Sequence, residues 1–200
     1  MANSKGQIAR EFTKEIRSIL RRGDIGVLLT DTIYGVVGSA LSKKTVERIY
    51  KLKSRNERKP LIVLIASAGD LKKFGVKFAA KELQLARRLW REKPTSIILP
   101  APGKKFAYLH RGTNSIAFRM PAFAPASAGK ARMPLLRLLR TTGPLVAPSA
   151  NPEGKHPATT IKEAMTYFGG RVDFYMDGGR KKGMPSRLIA FKNGESKVLR

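Results

Sequence analysis

The sequence predicts an α/β protein, because short apolar runs suited to buried strands alternate with longer amphipathic stretches suited to helices. Two such runs, residues 25–29 and 61–66, flank a helical pattern over residues 43–53 for which Ser42 is a suitable N-cap. Hydroxyl groups follow the first run and cations follow the helix. Since α/β proteins bind polyanions at strand ends, this stretch is the predicted centre of a binding site.

The remaining elements follow from the same two patterns. Apolar spacing predicts five further helices: 5–22, 67–74, 79–91, 132–141 and 160–168. Branched or alternating runs predict six more strands: 96–99, 115–120, 145–147, 172–176, 187–191 and 197–199. Residues 30–35 are a predicted turn. Residues 103–114 are a predicted basic loop in which His110 lies at the surface.

Length and composition narrow the classes of protein. The 200 residues lack a Pro/Ser-rich linker, so we expect one domain over residues 1–200, with residues 1–7 as a flexible N-terminus. There is no cysteine and there are two histidines, which disfavours disulfides, thiolate chemistry and a zinc site. No apolar run is long enough to span a membrane, and we expect a cytoplasmic protein.

The charge of the chain is unusual. Forty Lys and Arg residues against 14 Asp and Glu residues give a net charge of +26, and residues 93–152 contain no acidic residue. Such a field favours anionic partners: a nucleotide, a nucleic acid such as RNA, or both. The alternative is a basic proteome in which excess cations coat the solvated surface, and the sequence leaves both interpretations open.

Several local patterns also have two interpretations. If the helix ends near residue 53, Lys53 and Arg55 can converge, and Arg55, Arg58 and Lys59 then lie on a loop that can wrap phosphates. Alternatively, these cations form a solvated helix end favoured by the helix dipole. Ser149 and Asn151 follow a predicted strand and can cap a turn or face a ligand. Alternation over residues 115–120 places Ser115 and Arg119 on one face of a strand.

The chain has no P-loop, no GxGxxG, no GxSxG and no Cys-His pair. An enzyme with this sequence would therefore act by positioning its substrates and neutralising their charge, without a covalent nucleophile.

An ordered set of motifs resembles the YrdC/TsaC family of threonylcarbamoyl-AMP synthases over roughly residues 8–200. The set comprises Thr30-Asp31-Thr32-Ile33-Tyr34-Gly35, Lys53-x-Arg55 with Lys59-Pro60-Leu61, Arg119-x-Pro121, Ser149-Ala150-Asn151, Pro185-Ser186 and the closing Val198-Leu199-Arg200. The resemblance implies a YrdC-like fold: a twisted, open, mixed β-sheet with flanking helices in a single domain.

The resemblance also implies a reaction. L-threonine, bicarbonate (or carbon dioxide) and ATP with Mg²⁺ would give threonylcarbamoyl-AMP and pyrophosphate. The tRNA threonylcarbamoyl-transferase machinery would then modify an adenosine beside the anticodon. No metal ligand is expected from the protein itself.

Individual site residues carry over from the family in the same way. Thr32, Arg119 and Ser186 would bind threonine. Lys53 and Arg55 would be the catalytic cations. ATP would be bound by Lys53, Arg55, Lys59, Ser115, Ser149, Asn151 and Arg200.

Departures from the family pattern leave alternatives. Leu29 stands where a proline is usual, Leu64 where some members have histidine, and Arg187 where some have threonine. The Leu29 and Leu64 changes put the amino-acid substrate in more doubt than ATP binding. A YrdC-like RNA-binding protein with altered catalysis, or a carbamoyl-transfer enzyme with another amine acceptor, are the competing functions.

Overall fold

A computed structural model describes residues 8–9, 14–77, 79–121, 132–192 and 195–199 of the chain. Within these residues the strands form one ten-stranded sheet in the order β1-β8-β2-β3-β7-β4-β6-β5-β9-β10. The strands are β1 (Ile8–Ala9), β2 (Gly26–Leu29), β3 (Tyr34–Ser39), β4 (Ile62–Leu64), β5 (Thr95–Pro100), β6 (Ser115–Arg119), β7 (Leu145–Val146), β8 (Phe174–Met176), β9 (Arg187–Lys192) and β10 (Glu195–Val198). Because β4 and β6 pair parallel and β2 and β3 antiparallel, the sheet is mixed, as predicted.

Helices flank this sheet. They are α1 (Lys14–Arg21), α2 (Lys43–Lys53), α3 (Ala80–Glu92), α4 (Ala107–His110), α5 (Arg132–Thr142) and α6 (Ile161–Phe168), with 3-10 turns at Ala68–Phe74, Lys104–Phe106 and Gly169–Arg171. Ser42 caps α2 as expected, since its hydroxyl accepts a hydrogen bond from the Thr45 amide. In the described part of the chain, no helix is both long and apolar enough to cross a membrane.

The core has two layers, one on each face of the sheet. Neighbouring strand residues alternate between them: Val63 belongs to the larger apolar cluster and Leu64 to the smaller one. The larger cluster includes residues of α2, α3 and α6, whereas the smaller includes residues of α1 and α5. The predicted α/β class with flanking helices is therefore confirmed, and the helices lie on both faces of the sheet.

The N-terminal elements differ from the prediction. Residues Ile8–Ala9, expected within a helix over 5–22, form a strand that pairs parallel with β8, and α1 begins at Lys14. The expected flexible segment 1–7 lies outside the described residues. The apolar spacing that suggests one long helix therefore belongs to two different elements.

Strand β3 is absent from the sequence prediction. It continues the predicted turn and pairs antiparallel with β2, its two glycines having obscured an apolar strand pattern. Gly38 is required there, because a Cβ atom would lie 2.5 Å from the Cγ2 atom of Thr45 on α2. The glycine lets the helix pack closely onto the sheet.

The prediction that His110 lies at the surface is wrong. His110 is only 4% exposed. Its Nδ1 atom accepts a hydrogen bond from the Gly112 amide at 3.2 Å, and its Nε2 atom lies 3.1 Å from the Gly103 carbonyl oxygen. The predicted loop 103–114 instead contains α4 and a 3-10 turn, and the imidazole ties its two ends together.

Candidate functional site

A cavity of about 580 Å³ opens on the sheet face that also carries α1 and α5. This placement follows from strand alternation. Ile97 and Phe118 belong to the larger core cluster on one face, so Ile98 and Ala117, which line the cavity, project from the other. Six of the residues expected to bind substrates line this cavity: Thr32, Arg55, Ser115, Arg119, Ser149 and Ser186.

Strand β6 supplies two of these side chains by simple alternation. Ser115 and Arg119 line the cavity, while Ile116 and Phe118 between them are fully buried in the core. The predicted face of this strand is confirmed. A hydroxyl and a guanidinium therefore project from one rigid strand in the middle of the sheet.

The turn between β2 and β3 brings two more hydroxyls to the cavity. Thr30 closes the turn, since its amide and its hydroxyl both donate to the Ile33 carbonyl, at 3.1 and 2.7 Å. The Oγ1 atoms of Thr30 and Thr32 lie 3.2 Å apart. Both threonines line the cavity, so the β-strand propensity of a branched residue does not by itself explain their presence.

Arg119 forms a buried ion pair with Asp31. Its Nη2 atom lies 3.1 Å from Asp31 Oδ1, and the side chains are 4% and 0% exposed. Nη2 also lies 3.5 Å from Thr30 Oγ1. Among the described residues, no group donates a geometrically sound hydrogen bond to the Asp31 carboxylate, which therefore depends on its ion pair. Sequence reasoning assigned Asp31 no role, although its place between two site threonines was the available signal.

The end of α2 places Arg55 at the cavity wall. Ser54 adopts a left-handed conformation (φ 48°) that ends the helix and turns the chain. Arg55 then donates from Nε to the Lys59 carbonyl at 3.2 Å and from Nη2 to the Pro60 carbonyl at 3.4 Å. The Tyr50 hydroxyl donates to the same Lys59 carbonyl at 3.0 Å. The loop after α2 is thus braced by its own guanidinium.

Lys53 lies beneath the cavity wall and does not line it. Its side chain is 1% exposed, and its Nζ atom donates to the backbone carbonyls of Ser149 and Asn151. Burial, assisted by the positive charge of Arg55, lowers the pKa of Lys53 to about 7, while Glu153 acts in the opposite direction. A neutral amine still has two hydrogens for the two carbonyls. Lys53 therefore holds the Ser149 segment in place in either protonation state.

Two further expected ATP ligands, Lys59 and Asn151, lie away from the cavity lining. Lys59 is exposed and forms an ion pair with Glu153. Asn151 is buried, and its Nδ2 atom donates to the carbonyls of Pro152 at 2.9 Å and Lys155 at 2.7 Å, which is the turn-stabilising role. Arg200 lies outside the described residues.

Ser186 joins the cavity through a hydrogen bond that the sequence did not predict. Its hydroxyl lies 2.8 Å from that of Ser96, and both residues are buried. The parallel pairing of β5 with β9 brings the two serines together, although they are 90 positions apart in the chain. Such a contact is set by sheet register and has no local sequence signature.

The family departures lie outside the cavity lining. Leu64 is fully buried in the smaller cluster. Leu29 packs closely against Gly178, since a Cβ atom added to that glycine would lie 2.6 Å from the Cβ atom of Leu29. Arg187 donates from Nη2 to Thr95 Oγ1 at 3.1 Å. Within the described ranges, no group of three or more His, Cys, Asp or Glu residues could hold a metal ion.

Comparisons with known proteins show similarity in sequence and in fold. The threonylcarbamoyl-AMP synthase of Pyrococcus abyssi is 30% identical over 90% of this chain and 51% of its own length, and that of Bacillus subtilis is 31% identical over 81% and 44%. This chain thus spans about half the length of these two relatives. The crystal structure of P. abyssi Sua5 complexed with L-threonine has a TM-score of 0.81 and 28% identity, over 96% of this chain and 56% of that one.

The family model for Sua5, YciO and YrdC proteins, described as "Telomere recombination", matches residues 18–200. That range includes every cavity residue described above and every helix and strand except β1 and the start of α1. The chain belongs to the Sua5/YciO/YrdC family.

Proposed function

We propose that this protein is a threonylcarbamoyl-AMP synthase, which makes threonylcarbamoyl-AMP and pyrophosphate from L-threonine, bicarbonate or carbon dioxide, and ATP. One observation carries the proposal: residues from five distant segments converge on one cavity with two guanidinium groups and several hydroxyls. Relatives named for this activity cover most of the chain. A cavity of about 580 Å³ is within the usual range for small-molecule sites.

Threonine would bind at the Arg119 end of the cavity. A guanidinium is suited to a bidentate grip on a carboxylate, and the Asp31 carboxylate already holds Arg119 in a fixed orientation. The hydroxyls of Thr32 and Ser186 line the same cavity and can bind the polar groups of a small amino acid. A relative that binds L-threonine in a crystal supports this choice of substrate.

ATP would bind along the wall formed by Arg55, Ser115 and Ser149, which all line the cavity. Arg55 would contact the phosphates directly. Lys53 would act indirectly by fixing the Ser149 backbone from below, and Lys59 would reach the phosphates from the rim. Arg200 would close over the nucleotide.

The chemistry requires two anions to meet. The threonine amine adds to carbon dioxide and loses a proton, which gives a carbamate. An oxygen of this carbamate attacks the α-phosphorus of ATP, a new P–O bond forms, and the bond to the β-phosphate oxygen breaks to release pyrophosphate. Arg55 lowers the repulsion between the carbamate and the phosphates. Mg²⁺ bound to the triphosphate would supply further positive charge, and the protein need not provide a metal site of its own.

The product would pass to the enzyme that transfers the threonylcarbamoyl group to tRNA, and we expect this to take place in the cytoplasm. The test is pyrophosphate release by the purified protein with ATP, bicarbonate and L-threonine. Release that requires all three supports the proposal. Threonine-independent hydrolysis, or no release at all, contradicts it.

A second candidate function, RNA binding, rests on the exposed cations. Lys81, Arg88 and Arg91 recur along one exposed side of α3, and Arg137 and Arg140 are exposed on α5. Phosphate contacts of this kind give an affinity that falls steeply with salt. Gel-shift titrations with unmodified tRNA at rising salt test this function, and undetectable binding at low salt excludes it.

A further inference from the structure

The two loops at the rim of the cavity are tied together by Glu153. One oxygen of its carboxylate accepts a hydrogen bond from the Asn56 amide, and the other forms the ion pair with the Lys59 ammonium. Its own amide donates to the Lys53 carbonyl at 2.8 Å. Glu153 therefore links the segment after α2 to the segment that carries Ser149.

The charge of Glu153 lies in a cationic setting. The hydrogen bonds from Lys59 and from the Asn56 amide lower the pKa of Glu153, and the positive charge of Arg55 lowers it further. The carboxylate is thus ionised at neutral pH. No residue lining the cavity carries a carboxylate in the part of the chain that the structure describes. A polyphosphate that reaches Arg55 and Lys59 would meet this negative charge at the rim.

We propose that Glu153 is an internal counter-ion that competes with the polyphosphate of the nucleotide for Lys59, and so sets the affinity of the site for ATP. This inference rests on the proposed function for the identity of the nucleotide. The ion pair is solvent-exposed, with side chains 58% and 29% accessible, so it can open at small cost. When it opens, Lys59 is released to the phosphates, while the Asn56 hydrogen bond keeps the loop in place.

The decisive variant is Glu153→Gln, which removes the charge and retains an oxygen for the Asn56 amide. Glu153→Asp keeps the charge. Glu163→Gln is a matched control, because Glu163 also accepts a hydrogen bond from a loop amide, that of Thr159 at 2.7 Å, and its residue is absent from the cavity lining. Urea unfolding of each variant verifies the fold.

Binding of inorganic tripolyphosphate and of ATP is measured by calorimetry at low ionic strength. Glu153→Gln is expected to bind both roughly three- to tenfold more tightly, the effect of removing one nearby exposed charge. Glu153→Asp and Glu163→Gln are expected to stay within about twofold of the wild type. In steady-state kinetics, the KM for ATP falls with Glu153→Gln and the KM for threonine does not change, a split that a merely structural role would not produce.

Unchanged or weaker tripolyphosphate binding by Glu153→Gln overturns the proposal, as does the absence of tripolyphosphate binding in every variant. Tighter binding without any threonine-dependent pyrophosphate release leaves this inference standing and contradicts the proposed function. Failure of this inference and failure of the proposed function therefore give different experimental results.

Discussion

The carboxylate of Asp31 and the guanidinium of Arg119 lie 3.1 Å apart, with both side chains removed from solvent. The pair joins the β2–β3 turn to the central strand β6. A buried charge without its partner is strongly destabilising, so each residue depends on the other. Arg119 also borders the cavity, which makes this contact a link between the stability of the fold and the proposed threonine site.

Asp31→Asn is expected to lower the free energy of unfolding by about 3 kcal/mol, because Arg119 loses its buried counter-ion. The variant should also raise the KM for threonine more than the KM for ATP, since the orientation of Arg119 is no longer fixed. Urea unfolding and steady-state kinetics measure the two effects. Equal changes in the two KM values would show that Arg119 does not serve threonine.

Arg55→Ala is expected to reduce turnover by at least about 100-fold, because the cavity loses a cation that neutralises the reacting phosphates. The free energy of unfolding should change by about 1 kcal/mol or less, since the lost hydrogen bonds lie at the edge of the fold. Pyrophosphate release and urea unfolding provide the measurements.

The matched control is Lys51→Ala, which removes an exposed cation two positions before Lys53 on the same helix end. It should keep wild-type turnover. A comparable loss in both variants would attribute the effect to general charge and would remove the specific role of Arg55.

The lowered pKa of Lys53 predicts that the stability of the fold depends on pH. Its pKa is about 7 in the folded protein against the ordinary lysine value of 10.5, so between these values the unfolded chain binds a proton that the folded chain lacks. The free energy of unfolding therefore rises with pH over this window, by up to about 1.4 kcal/mol per pH unit from this group.

The measurement compares urea unfolding of the wild type and of Lys53→Met at several pH values from 7 to 10. The free energy of unfolding of the wild type minus that of Lys53→Met should rise with pH, because methionine does not titrate. Lys51→Met, at an exposed position, should give a constant difference. A constant difference for Lys53→Met as well would show that the buried amine stays charged.

The sequence predicted the helices and strands that have a simple period, and with them much of the cavity. Ser115 and Arg119 follow from alternation along one strand, and Thr32 follows from the hydroxyl-rich turn after β2. Strand β3 was missed because Gly35 and Gly38, which serve close packing, interrupt its apolar pattern. The burial of His110 was not predicted, because its hydrogen-bond partners are backbone groups of its own loop.

The pairing of side chains across the fold could not be predicted in this way. Lys53 and Arg55 have the same charge and lie two positions apart, yet one lies under the cavity wall and the other faces the cavity. Ser54, which lies between them, adopts a left-handed conformation that turns the chain, and nothing in the composition marks that turn. The contacts of Asp31 with Arg119 and of Ser96 with Ser186 likewise depend on strand order and register.

The most direct test of the proposed function is a crystal structure of the protein with ATP and L-threonine bound. We expect the triphosphate within hydrogen-bonding distance of Arg55, and the threonine carboxylate on Arg119 in the same cavity. Ligands bound elsewhere, or a nucleotide in this cavity with no contact to Arg55, would contradict it.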